Sequence, residues 1–315
     1  MTTTTTTLTD LLWPVMAHRR SFDGIATTPT TPTLPTAAAV ATPITVAGEQ
    51  SVYLRPNGLE YVPRHLMVGD SKTQDVTLIR SAVASDIPVL LFGEPGTGKT
   101  ALVEAAFSDG LYTVQGTIET ETADFVGSWT QQPDGTYLWV DGPLPRAMME
   151  GKKLLVDEIA LIDSRVLAVV YGVMDGRGEL VVTQNPMRGA IHSEPGFAVV
   201  GACNPNVPGA MMSDALLSRF ILHVEMQTDW GTATKLGCPP KIVQVARNLD
   251  DKRKKGELTQ SPQLRELLAF RDVANAYGEA FALSNFVSQA RAENRDLVAT
   301  AIEAIFGTLP KPLVF

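Results

Sequence analysis

The sequence predicts an α/β domain, a three-layer sandwich with helices on both faces of a parallel sheet, followed by a small all-α domain. Three observations carry this. Short apolar runs alternate with helical stretches from about residue 54 to about residue 226. A glycine-rich loop stands where one of these runs passes into a helix. After Asp229 the apolar residues recur at steps of three and four instead.

Taken in chain order, residues 1–50 come first, with the Thr2 to Thr7 run and a stretch of Thr, Pro and Ala that carries almost no charge. Such a composition offers little apolar surface to offset backbone entropy, so a disordered tail is expected. Within it Leu8, Leu11, Leu12, Trp13 and Met16 outline one short apolar face, interrupted by Pro14, that reads as a docking patch. The α/β unit is expected over residues 51–228, with strands at Pro88 to Phe92, Tyr112 to Gln115, Lys153 to Ile159, Phe197 to Cys203 and Ile221 to Met226. Most are short and largely apolar on both faces, as expected for strands covered by helices. The helical unit is expected over residues 229–315: a charged DDKRKKGE segment, then Leu264, Leu267, Leu268, Phe270, Ala274, Tyr277 and Phe281 along one helical stripe.

Composition narrows the function classes. The 315 residues, 44% of them hydrophobic, can fill two cores. With 26 Lys and Arg against 34 Asp and Glu the net charge is −8, which disfavours a protein that binds nucleic acid by releasing counterions. Cys203 and Cys238 have neither CxxC spacing nor a nearby pair of His, so neither zinc nor a disulfide framework is expected, and a reducing compartment is. No run approaches the roughly 18 to 20 apolar residues that span a bilayer, and the N-terminus lacks a secretory layout. The expected location is the cytoplasm.

The strongest motif is Gly93, Glu94, Pro95, Gly96, Thr97, Gly98, Lys99 and Thr100, which fits G-x-x-x-x-G-K-[ST] at every fixed position. A strand, IPVLLF, precedes it and a helix, ALVEAAF, follows, so Ala101 completes the expected nucleotide-binding set. Glycines let successive N–H groups and the helix N-terminus point at phosphates. Lys99 offers a positive charge to the β- and γ-oxygens, and Thr100 a hydroxyl to Mg²⁺. A second site follows at the end of an apolar strand. There Asp157 is suited to the Mg²⁺ shell and Glu158 to polarising an attacking water. Asn204 ends the PGFAVVGACNPN stretch and would orient that water if its strand lies between the loop and the acids; an Asn before Pro also suits a plain turn. Arg219 closes a helix just before the last strand, either as a solvated charge or as an arginine finger reaching a neighbouring subunit's γ-phosphate.

Together these residues resemble the AAA+ ATPases, with Walker A at 93–100, Walker B at 153–158, sensor 1 at Asn204 and the finger at Arg219. The text between the motifs is similar to the MoxR-type branch, which includes the CbbQ and NorQ activators and, more remotely, midasin and dynein modules. The resemblance implies an inserted hairpin, here Thr130 to Val140 turning at Pro133-Asp134-Gly135, and a second one over Glu179 to His192 turning at Asn185-Pro186. It also implies a sensor 2 arginine at the start of a lid helix. Arg265 is the nearest arginine, although alignment on Ser261 puts Gln263 in that slot. The stretch from Glu60 to Arg64 resembles the segment that packs beside adenine. By the same resemblance the chain would hydrolyse ATP with Mg²⁺ in a homo-oligomeric ring, a hexamer, and act on a protein client together with a separate von Willebrand A-domain partner. A nucleic-acid motor and a slowly hydrolysing, nucleotide-gated scaffold are the rival readings; Arg177 and Arg188, beside and within the second hairpin, are the residues that favour the first.

Overall fold

The computed structural model describes residues 52–68 and 71–314; the expected tail, with its apolar patch at Leu8 to Met16, lies outside the described residues. The described chain opens with two short antiparallel ribbons. In the first, β1 (Tyr53–Leu54) pairs with β2 (Glu60–Tyr61), and in the second β3 (His65–Val68) pairs with β4 (Ser71–Gln74). Helix α1 (Asp75–Ala84) leads into β5 (Val89–Phe92), the phosphate loop and α2 (Lys99–Ala106), and then β6 (Leu111–Gln115).

The next helix is split. Between α3 (Thr122–Val126) and α4 (Pro143–Met149) stands the hairpin of β7 (Gly127–Gln131) and β8 (Tyr137–Asp141), as the resemblance implied. Then come β9 (Lys153–Asp157) and α5 (Ser164–Met174), and a second hairpin of β10 (Glu179–Val181) and β11 (Ala190–His192) with a 3-10 turn at Pro186–Arg188 between its arms. The unit closes with β12 (Ala198–Cys203), α6 (Asp214–Arg219) and β13 (Leu222–Glu225). The five long-range strands form one parallel sheet in the order β13-β5-β12-β9-β6.

Alternation along the strands explains the three layers. Leu90, Leu154, Val156 and Val199 face one core, shared with Phe125, Leu144, Met148 and Val170 of the helices. Val89, Leu91, Leu155 and Val200 face the other, shared with Val76, Ile79, Leu102 and Val103. Truncating any of these fully buried leucines to Ala is worth about 2–5 kcal/mol. The C-terminal helices α7 (Trp230–Lys235), α8 (Pro240–Lys254), α9 (Leu264–Tyr277), α10 (Glu279–Gln289) and α11 (Arg295–Phe306) enclose a third core around Ile242, Leu249, Leu267, Phe270 and Phe286. This is an α/β fold of the P-loop kind with an all-α lid.

Two expectations need correction. The strand expected to run to Ile159 ends at Asp157, because Glu158 adopts φ 49° and Ile159–Leu161 turns as a 3-10 helix. Tyr277 and Phe281 do not join the lid stripe: the helix stops at Gly278, and both rings lie exposed against each other with centroids 5.1 Å apart.

Candidate functional site

The site grows from the carboxyl ends of β5, β12 and β9, which are neighbours in the sheet. Gly93 leaves β5 at φ 147°, and a Cβ there would stand 2.3 Å from the Met226 carbonyl oxygen, so the turn into the loop accepts no side chain. Lys99 is buried at the start of α2, where its ammonium donates to the carbonyls of Gly93 (2.8 Å) and Glu94 (3.0 Å). Burial holds the Lys99 pKa below the ordinary lysine value, against the opposing pull of the Glu158 and Asp157 carboxylates.

Thr100 Oγ1 donates to Asp157 Oδ2 at 2.7 Å, which joins the helix after the loop to the end of β9. Asp157 Oδ1 in turn accepts from the Glu158 main-chain N–H at 3.0 Å. The left-handed turn at Glu158 swings its carboxylate toward β12, where Oε2 accepts from the Asn204 main-chain N–H at 3.3 Å. The Asn204 side chain is turned into its own loop, with Oδ1 accepting from Asn206 N at 3.2 Å. Asn206 Nδ2 donates to Glu94 Oε1 at 3.2 Å and ties that loop back to the phosphate loop.

A family model described as AAA domain (dynein-related subfamily) matches residues 88–220, which hold all of these groups except the Met226 carbonyl. NorQ of Paracoccus denitrificans is 34% identical over 152 residues, 47% of this chain and 54% of NorQ. Over this stretch the chain is similar to MoxR-like AAA+ proteins. Midasin of Giardia intestinalis is 31% identical over 156 residues, 47% of this chain and 3% of midasin. An uncharacterised protein of Staphylococcus epidermidis is 29% identical over 226 residues, 64% of this chain and 85% of that one. The chain thus spans about half the length of NorQ.

In this AAA+ fold the remaining expected residues are placed as follows. Arg265 lies on the first turn of α9, directly over the loop: its main-chain N–H donates to the Gly96 carbonyl at 3.3 Å, and its side chain is exposed. Gln263, in the aligned slot, is buried and structural. It caps α9 with Glu266, donates to the Ser261 carbonyl at 3.1 Å and accepts from Thr228 Oγ1 at 2.6 Å. Arg219 stands apart, exposed at the end of α6 with its guanidinium over the Tyr171 ring at 5.9 Å. Arg64 was not singled out by residue reasoning, yet its guanidinium donates to the Thr97 carbonyl at 2.7 Å. Arg64 and Asn206 are 33 and 112 residues from their partners, and no local pattern announces such contacts.

The Thr100 hydroxyl and the Asp157 carboxylate form an oxygen-only pair of the kind Mg²⁺ accepts alongside phosphate oxygens and water. Among the described residues no group of three or more His, Cys, Asp or Glu is arranged to enclose a metal by itself, so any Mg²⁺ here would share its shell with the substrate.

Proposed function

We propose that residues 93–101 bind ATP and that the chain hydrolyses it to ADP and phosphate to remodel or activate a protein client. The observation that carries this reading is the placement of Glu158: one residue beyond the Mg²⁺-side Asp157 and across β12 from the phosphate loop, with its carboxylate held by a main-chain N–H. A carboxylate there is suited to accepting a proton from a water attacking in line. Lys99 and Thr100 would hold the β- and γ-phosphates, and Thr100 with Asp157 would hold Mg²⁺. When bound, the ion supplies charge that the transferring phosphoryl oxygens need. Asn204 would steady Glu158 through its main chain, and Arg265 would sense the nucleotide from the lid.

Arg219, exposed and set over the Tyr171 ring, fits a finger that completes the site of the next copy, hence a homo-oligomeric ring, which we take to be a hexamer. The nucleotide unit would be 51–228 and the lid 229–315. Hydrolysis would shift the lid against the sheet and move the two hairpins, where Trp129, Tyr137, Leu138, Val140 and Met187 are exposed. Large apolar side chains at protruding hairpins suit a protein client better than a phosphate backbone. The basic residues that favour nucleic acid are paired within the chain: Arg177 with Asp175 and, at 2.8 Å, Arg188 with Asp141. A separate von Willebrand A-domain polypeptide is the proposed partner. A cytoplasmic location belongs to this reading, and among the described residues no helix is long and apolar enough to cross a membrane.

The test is ATP turnover by the wild type and Glu158→Gln, each with and without single-stranded DNA. Turnover should fall by about 10² or more in the variant, with ATP binding kept. Strong stimulation by DNA would overturn the protein-client reading, and equal turnover by the two proteins would remove Glu158 from the chemistry.

A further inference from the structure

Arg64 ends the segment that follows β2 and reaches the phosphate loop from behind. Its backbone is locked to Asp75, the first residue of α1: Arg64 N donates to Asp75 Oδ1 at 3.1 Å, and Asp75 N donates to the Arg64 carbonyl at 2.9 Å. The Tyr61 hydroxyl donates to the other oxygen, Asp75 Oδ2, and Arg64 Nε lies 3.7 Å from that same atom. From this anchor the side chain, only 10% exposed, bridges two other elements. Nη2 donates to the Thr97 carbonyl at 2.7 Å and Nη1 to the Gln227 carbonyl at 3.0 Å. Gln227 lies on the connection from β13 to the lid, next to Thr228, whose hydroxyl holds the Gln263 cap of α9.

The Thr97 carbonyl and the Gly98 N–H belong to one peptide group, and the described residues contain no cis peptide. In a trans peptide the two point in opposite directions, so a cation that fixes the oxygen also aims the N–H to the far side. A charge-assisted bond to the oxygen polarises the group as well and makes its N–H a stronger donor. The preceding peptide is held in the same way, because the Gly96 carbonyl accepts from Arg265 N. Gly98 permits the approach: a Cβ there would stand 2.9 Å from Arg64 Nη2.

We propose that Arg64 is a positioning residue for phosphate binding, holding the Thr97–Gly98 peptide with its N–H toward the phosphates and tying that peptide to the connection that leads to the lid. The proposal rests on the reading of residues 93–101 as the nucleotide site, and it assigns Arg64 to the phosphates rather than the base.

The test titrates ATP and inorganic tripolyphosphate, which has no base, into the full chain in Mg²⁺ by calorimetry. The proteins are the wild type, Arg64→Ala, Arg64→Lys and Lys99→Ala. Arg64→Ala should weaken both ligands by similar factors of about tenfold or more, and Arg64→Lys, whose single ammonium cannot fork to two carbonyls, should fall between. Loss of ATP affinity with tripolyphosphate affinity kept would overturn the proposal by moving Arg64 to the base, and unchanged affinity for both would overturn it outright. If Arg64→Ala does not fold by circular dichroism, Arg64→Lys decides on the same two ligands. A wild type that binds no ATP, or a Lys99→Ala that binds it normally, overturns the nucleotide reading itself and is a separate result.

Discussion

At the level of single residues, the buried ammonium of Lys99 sets the sharpest expectations. It sits on the Gly93 and Glu94 carbonyls at the start of the loop, so Lys99→Ala should abolish or greatly weaken ATP binding, as measured by calorimetry. Its pKa lies below the ordinary value, and only the protonated form attracts phosphate. ATP affinity should therefore be steady near neutrality and fall as pH rises, with the decline beginning before the ordinary lysine value of about 10.4 is reached. A binding curve flat up to that value would contradict the assignment. The chemistry-bearing residues were legible because their motifs are local: the loop spans eight consecutive positions, and Asp157 and Glu158 adjoin the end of a visible apolar run. Arg64 was not, because its roles depend on Asp75, Thr97 and Gln227, which the fold brings together from three separate segments.

Among the elements, the two hairpins behave as a coupled pair. Trp129 Nε1 donates to the Gln184 carbonyl at 3.2 Å, and Arg188 Nη2 donates to Asp141 Oδ2 at 2.8 Å, so each hairpin is braced by the other. Arg188→Ala should speed amide exchange in both 127–141 and 179–192 while leaving ATP affinity unchanged. Faster exchange confined to the second hairpin would show that the brace carries nothing across. On the lid side, Gln263→Ala removes a cap and takes the Gln263 amide from the Thr228 hydroxyl and the Ser261 carbonyl, and should cost about 1–3 kcal/mol in a denaturant titration. Strands β5, β6, β9, β12 and β13 were legible to within two residues; the inner three, β5, β12 and β9, stand out because a doubly covered strand is apolar on both faces, while the edge strands β6 and β13 are only partly apolar. The ribbons β1 to β4 were not, since two to four residues are too few to show a period. The stripe through Tyr277 and Phe281 failed for a different reason: Gly278 ends the helix between them, and periodicity cannot see a break that keeps its step.

For the whole molecule, the sheet order and the exposed Arg219 make assembly the variable to manipulate. Arg219→Ala should bind ATP and lose turnover, and mixing it with Lys99→Ala subunits should restore part of that turnover, because some interfaces would then pair an intact loop with an intact arginine. No recovery in the mixture would place the arginine outside the shared site. The −8 net charge now has a more specific meaning, since the two arginines that favoured a nucleic-acid motor are already matched by acids of their own chain. One last consequence follows from the backbone at Glu158, held at φ 49° where a side chain is disfavoured by roughly 1–2 kcal/mol. Glycine is at ease in that conformation, so Glu158→Gly should melt about 1–3 °C higher than the wild type while losing turnover. Selection for thermal endurance alone would then favour a tougher protein that no longer works, and any effort to harden this chain must screen for activity at every round.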